Sequence, residues 1–144
     1  IHDIVGRLKQ AGKIVIIHLD LVTGLSSKEI AVTYLHAVTH GDGIISTKPG
    51  IIRKAKEEGM LAIMRFFVID SIAFESIQKQ VENVHPDMIA ILPGLMPKVI
   101  KKICGKSHIP VIAGGLITDK EDIMAALGAG AISISTTNQK VWFM

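Results

Sequence analysis

The sequence predicts an α/β protein, a (β/α)8 barrel of the TIM type whose N-terminal strands lie outside this chain. Three patterns predict it. Short β-branched runs alternate with amphipathic segments six times, the signature of βα units feeding a parallel sheet. The runs are apolar almost throughout, as parallel strands covered on both faces are. Almost every run also ends in polar or glycine residues: Asp20, Ser46-Thr47-Lys48, Asp70, Pro93-Gly94, Gly114-Gly115 and Ser135-Thr136. Convergence of all strand ends on one site is the habit of a barrel, whereas an open doubly wound sheet gathers its ligand contacts at a switch point.

Taken in order, residues Ile1 to Ala11 form a helix with Ile4, Val5 and Leu8 on one stripe and Gly12 at its exit. The first strand follows from Ile14 to Asp20, then a helix from Ser27 to Ala37 capped by Ser26 or Ser27, with Glu29 at the positive end of its dipole. Gly43 to Thr47 is the second strand. The helix from Pro49 to Glu58 leaves through a left-handed Gly59. Leu61 to Ile69 is a strand and Ser71 to Val84 a helix. Met88 to Leu92 leads to a helix from Met96 to Cys104 with Gly105 as its exit, and Val111 to Ala113 to one from Lys120 to Leu127. Thr118 followed by Asp119, Glu121 and Asp122 marks the start of that last helix, and Ala131 to Ser135 is the sixth strand. A helix at the front needs a strand before it, so roughly 35 to 45 further residues are expected ahead of Ile1, one βα unit taking about 30 residues.

With 144 residues, 49% of them hydrophobic, the chain suits one domain spanning 1–144. Mean hydropathy is high at +0.43, yet Lys, Asp, His or Gly interrupts each apolar run short of the roughly 20 residues that span a membrane. The apolar excess is therefore assigned to buried strands. The single cysteine, Cys104, excludes an internal disulfide framework and any CxxC site, and it reads as core filler in a cytoplasmic protein, as do the six methionines. A net charge of +3 is compatible with an anionic or nucleic-acid partner.

The strongest chemical motif is the stretch Ile109 to Ile117 followed by Ala131 to Thr136, a pairing of penultimate and final barrel strands. Gly114 and Gly115 let backbone N–H groups approach an anion, while Ser135, Thr136, Thr137 and Asn138 offer amides and hydroxyls at an expected helix N-terminus. The pattern predicts a phosphate site; a plain tight turn is the alternative. Lys48 and Arg65 supply cations toward the same ends, and Arg65 shares a strand side with Ile63 and Phe67. A charge within an apolar run needs a ligand anion or a carboxylate such as Asp20 or Asp70. Lys48 also fits a Schiff-base role, and His18 with Asp20, two apart on one strand, permits metal or acid–base work. No second ligand pair completes a metal site, so none is expected, and no cofactor is implied. His2, His36, His40, His85 and His108 read as surface residues. Basic residues recur on two helices, Arg53, Lys54 and Lys56 on one and Lys98, Lys101 and Lys102 on the other, with Lys106 beyond, as solvated faces or a groove for a polyanion. Trp142 and Phe143 either cover the barrel or serve an interface, that of a homo-oligomer included.

Six stretches taken together resemble the glycerol-uptake operon antiterminator regulatory proteins (the GlpP family): His18 to Leu25, Asp42 to Lys48, Ala62 to Phe67 with Asp70-Ser71, Ile91 to Gly94, Ile109 to Ile117, and Ile134 to Asn138 with Val141-Trp142. The ordered set covers nearly the whole chain. The resemblance implies a bacterial cytoplasmic regulator, not an enzyme, that senses glycerol 3-phosphate and acts on leader mRNA of glycerol-utilisation genes to prevent premature termination. On that reading the glycine and serine loops take the phosphate, with Asp20, Lys48 and Arg65 around the glycerol part. Ala90 and Met64 depart from the family pattern, standing where glutamate and glutamine are frequent. The rival expectation is a barrel lyase or isomerase acting on a small phosphorylated sugar or triose, with Asp20 and Lys48 as acid and base.

Overall fold

The computed structural model describes residues 1–143. It comprises two compact units, Ile1–Met64 with Val84–Asp87, and Arg65–Asn83 with Met88 onward. Among the described residues six strands alternate with six α-helices, and the strands take chain order in the sheet: α1 (His2–Gln10), β1 (Ile16–His18), α2 (Glu29–Thr39), β2 (Gly43–Ser46), α3 (Pro49–Glu57), β3 (Leu61–Phe67), α4 (Ser71–Val84), β4 (Met88–Leu92), α5 (Pro97–Lys106), β5 (Val111–Gly114), α6 (Lys120–Gly128) and β6 (Ser133–Ser135). β3 begins in the first unit and ends in the second.

In the first unit, β1, β2 and the start of β3 pair in parallel, Ile16 beside Gly43 and Gly43 beside Leu61. Glycine is required there: a Cβ at position 43 would lie 2.5 Å from the Leu61 carbonyl oxygen and 2.7 Å from Ile16 Cδ1. The core is built from strand residues of both faces and one helical stripe each: Ile44, Ala62, Ile63 and Met64 are buried, as are Val32 and Leu35 of α2 and Ile51, Ile52 and Ala55 of α3. Thr33 Oγ1 donates to Glu58 across α2 and α3 at 2.7 Å.

The entry to the strands uses one device twice. α2 ends on His40 at φ 54°, and Asp42 then accepts both the Val15 backbone N–H at 2.7 Å and Lys9 Nζ at 2.6 Å. Forty-five residues later α4 is followed by His85 at φ 50°, and Asp87 accepts the Ala62 N–H at 2.8 Å and Lys56 Nζ at 2.9 Å. Each carboxylate closes the N-terminal edge of the preceding strand, where the ladder leaves a donor that must be satisfied.

In the second unit, β4, β5 and β6 pair in parallel, Ala90 beside Ile112 and Gly114 beside Ser135. Ile89, Ile91, Val111, Ala113 and Ile100 of α5 form its buried centre. Ser133 and Ser135 of β6 are exposed. Ala90 and Met64, the two departures from the family pattern, are both buried.

Several local expectations are corrected. The extended chain of β1 stops at His18, and Leu19–Leu21 form a 3-10 turn, so His18 and Asp20 do not share a strand face. Ser27 does not cap α2: the N-cap is Lys28, and the Ser27 hydroxyl is drawn to Asp20 instead. α6 is capped by Asp119, which accepts from the Asp122 N–H, while Asp122 answers by accepting the Thr118 N–H, a reciprocal arrangement one residue later than expected. Gly105 lies within α5 rather than beyond it, whereas Gly12 and Gly59 are left-handed exits as expected. Of the α1 stripe only Val5 is buried; Ile4 and Leu8 are exposed.

Candidate ligand-binding site

The ends of β5 and β6 carry the strongest binding geometry, all within the second unit. Gly114 faces Ser135 so closely that a Cβ would sit 3.2 Å from the Ser135 Cβ and carbonyl oxygen. Gly115 has φ 78°, and a Cβ on it would meet Leu92 Cδ2 at 3.1 Å. Its carbonyl accepts from Gly94 N at 3.1 Å, which fixes the plane of the following peptide. Leu116 continues left-handed at φ 63°, exposed, before Ile117 returns to the core. Left-handed backbone disfavours a branched side chain at about 1–2 kcal/mol, so this turn keeps its shape only because the strand ends around it are tied.

The ties are visible. Thr136 Oγ1 donates to the Ile117 carbonyl at 2.9 Å and accepts from Asn138 N at 3.1 Å. Asn138 Nδ2 donates to the Thr118 carbonyl at 2.9 Å, and Trp142 Nε1 to the Thr136 carbonyl at 3.0 Å. Thr136 thus spends its one hydroxyl proton on holding the two loops together. Among the described residues the hydroxyls of Ser135 and Thr137 make no hydrogen bond, which leaves both donors for a ligand. The expected helix N-terminus after β6 is a single 3-10 turn, Gln139–Val141, capped by Asn138 Oδ1 on Lys140 N. One turn carries little macrodipole, so anion attraction here rests on backbone amides and hydroxyls.

Arg65, in the second half of β3, is half-buried, its guanidinium 4.9 Å from the centre of the exposed Phe67 ring. The two side chains share a strand side, as alternation requires. A cation over an aromatic face keeps its charge while losing water on one side.

In the first unit Asp20 is the centre of a closed cluster. Its carboxylate accepts from Ser27 Oγ at 2.6 Å, from Ser46 Oγ at 2.9 Å and from the Thr47 N–H at 2.9 Å. Burial raises the carboxyl's pKa, but the bonds from Ser27, Thr47 and Ser46 together outweigh it, and the group lies below the usual carboxylate range. A carboxylate held ionised by several donors is a weak proton acceptor, which removes the argument for Asp20 as a general base. Lys48, exposed at the start of α3, donates from Nζ to the Ser27 carbonyl at 3.2 Å. Both Asp20 and Lys48 therefore hold the Ser27 turn.

The two basic helices differ. On α3, Lys54 pairs with Glu58 at 3.0 Å and Glu57 at 3.4 Å, and Lys56 with Asp87. The ionised carboxylates of Glu58 and Glu57, accepting from Nζ, raise the Lys54 pKa. On α5, Lys98, Lys101, Lys102 and Lys106 have no carboxylate within salt-bridge distance among the described residues, and their helix contains no acid. Burial pushes the thiol of Cys104 on the same helix up. Sequence patterning marks Gly94 as a strand end and Asn138 as part of the last loop, but not the bonds each makes, nor the Ser27–Asp20 bond, since a partner seven residues away leaves no periodic signal.

The family described as glycerol-3-phosphate responsive antiterminator matches residues 1–142. An Escherichia coli (strain K12) protein known as uncharacterized protein YgcP is 49% identical over 142 residues, 99% of this chain and 74% of that protein. The crystal structure of a glycerol uptake operon antiterminator regulatory protein from Listeria monocytogenes superposes with a TM-score of 0.94 at 42% identity, covering 99% of this chain and 77% of that one. A glycerol uptake operon antiterminator-related protein from Thermotoga maritima follows at 0.87 and 36%, covering 97% and 79%. Orotidine 5'-phosphate decarboxylase from Pyrococcus horikoshii, at 0.66 and 21% identity over 92% of this chain and 68% of its own, shares the α/β fold alone. The chain belongs to the glycerol-3-phosphate responsive antiterminator family.

Proposed function

We propose that the protein is a non-catalytic regulator that takes the phosphate of glycerol 3-phosphate at the ends of β5 and β6 and, in that state, binds leader mRNA in the cytoplasm. The observation that carries the phosphate assignment is the side-chain-free stretch Gly114-Gly115 beside two unengaged hydroxyls, Ser135 and Thr137. Bare backbone and hydroxyl donors suit a dianion with several acceptor oxygens. Thr136 is assigned to holding the loops and Arg65 to charge in the same unit. Lys48 and Asp20 enter as residues to be replaced singly, each expected to weaken effector affinity. For RNA, the lysines of α5 fit better than Arg53, Lys54 and Lys56 of α3, two of which are already paired. Among the described residues no helix is long and apolar enough to cross a membrane. The parallel strands in chain order, each joined to the next through a helix, support one (β/α)8 barrel domain as the complete fold.

A thermal-shift titration tests the effector. Ligand at about 100 times its Kd stabilises a folded protein by roughly 2.7 kcal/mol, so glycerol 3-phosphate is expected to raise Tm at concentrations where glycerol and inorganic phosphate do not. Equal stabilisation by inorganic phosphate would reduce the site to a generic anion cradle and return weight to the lyase or isomerase reading.

A further inference from the structure

Between α4 and α5 lies an open groove of 360 Å³, lined by Asp70, Ser71, Phe74, Met96, Val99 and Lys102 among others. It lies wholly within the second unit. We infer that this groove takes an unstacked base of single-stranded RNA, with the backbone phosphates running along the lysines of α5. The inference rests on the RNA-binding reading above and gives it a place and a strand form.

Three features of the lining select a nucleotide. Phe74, Met96 and Val99 offer an apolar wall with one aromatic face, and Lys106 Nζ already stands 5.5 Å from the centre of the Phe74 ring. Base–aromatic stacking beside a cation is the common means of holding single strands. Lys98, Lys101, Lys102 and Lys106 put four cations on one ten-residue helix with no acid to neutralise them. Lys102 belongs to both the groove and that row, so a phosphate adjoining a seated base falls within its reach. Finally, Asp70 and Ser71 set an acceptor and a hydroxyl at the groove. Asp70 uses Oδ1 to cap α4 through the Ala73 N–H at 2.7 Å, and among the described residues its other oxygen accepts nothing. A free carboxylate oxygen matches the exocyclic amino group of cytosine or adenine. An acidic peptide, the other polyanion that four lysines would attract, has no base to stack on Phe74. A duplex keeps its bases stacked and presents none to the groove.

The experiment measures fluorescence anisotropy of the protein, saturated with glycerol 3-phosphate, against a labelled leader transcript and a short cytosine- and adenine-rich oligoribonucleotide, alone and annealed to its complement. The single strand is expected to bind and the duplex to bind at least tenfold more weakly. Phe74→Leu keeps the apolar volume but removes the ring; stacking contributes about 1–3 kcal/mol per base, so roughly a tenfold loss or more is expected with Tm unchanged. Should Phe74→Leu unfold, the triple substitution of Lys98, Lys101 and Lys102 by Gln stands in. It is expected to reduce the slope of log K against log salt by about 2, at roughly 0.7 per phosphate contact. Leader RNA bound equally well by both variants overturns the groove while sparing the RNA reading. Failure of the wild type to bind any RNA overturns both, and competition by polyglutamate as effective as by RNA makes the groove a site for acidic protein.

Discussion

Glycine in this chain does two opposite jobs, and the difference is measurable one residue at a time. Gly115 sits at φ 78° with Leu92 Cδ2 3.1 Å from where a Cβ would stand. Gly105 lies in the last turn of α5 with nothing within 4 Å of its Cβ position. Gly115→Ala meets left-handed strain of about 1–2 kcal/mol and is expected to lower stability by at least that much in urea unfolding. Gly105→Ala relieves the entropic cost of glycine in a helix and is expected to raise stability by about 0.5–1 kcal/mol. Equal effects at the two positions would mean that the turn after β5 does not hold the shape described. The sequence-level expectation paired Gly105 with Gly59 because both follow lysine-containing helical turns. What separates them is whether the chain leaves the helix at that residue, and a lysine followed by glycine carries no information on that.

At the scale of elements, alternation and apolar run length place all six helices and six strands, because parallel strands and amphipathic helices differ in period. The ends were less legible. Asp20 was read as the last residue of a strand, yet Ser27, Ser46 and the Thr47 N–H pull its carboxylate into a turn, a tertiary attraction that local period does not encode. At the candidate site the sequence marks Gly114, Gly115 and Ser135, and the structure brings Gly114 beside Ser135 with the Ser135 hydroxyl making no hydrogen bond among the described residues. Thr136 was read as another such donor but works as a tie, since the Ile117 carbonyl it meets is nineteen residues away. The paired aspartates show the same limit: His40-Gly41-Asp42 and His85-Pro86-Asp87 stand in plain view, but their partners Val15 and Ala62 become apparent only when the strands lie side by side. Removing Asp87 by Asp87→Ala leaves the part-buried Ala62 N–H without its acceptor, a loss of about 1–3 kcal/mol. Asp87→Asn keeps an acceptor oxygen and loses only the exposed pair with Lys56, worth at most about 1 kcal/mol. Denaturant midpoints in that order support the strap; indistinguishable variants would make it a charge pair and nothing more.

Across the whole molecule, these contacts set a pH window for folding. Four carboxyls lie below their ordinary range: Asp42 through Lys9 and the Val15 N–H, Glu58 through Thr33 and Lys54, Asp122 through the Thr118 N–H, and Asp20 through donors that outweigh its burial. A carboxyl depressed in the folded state contributes stability that is complete above its unfolded pKa, near 4, and is lost as pH falls through the folded value. Cys104 has the opposite sign. Burial raises its thiol, so its contribution is complete below the unfolded value near 8.5 and is lost as pH rises through the folded one. Lys54, raised by its pairs with Glu58 and Glu57, behaves likewise but from about 10.4 upward. Tm is therefore expected to be level between about pH 5 and 8.5 and to fall on both sides. Replacing the thiol by Cys104→Ala removes the earlier alkaline loss and carries the shoulder toward the lysine's range, about two pH units higher. Circular dichroism melts of both proteins across that range read the shift directly. A shoulder that stays put in the variant would assign the alkaline limit to Lys54 and the other surface groups, and an acid limb that stays level down to about pH 3 would deny the four carboxylates their share in holding the strand entries and helix caps.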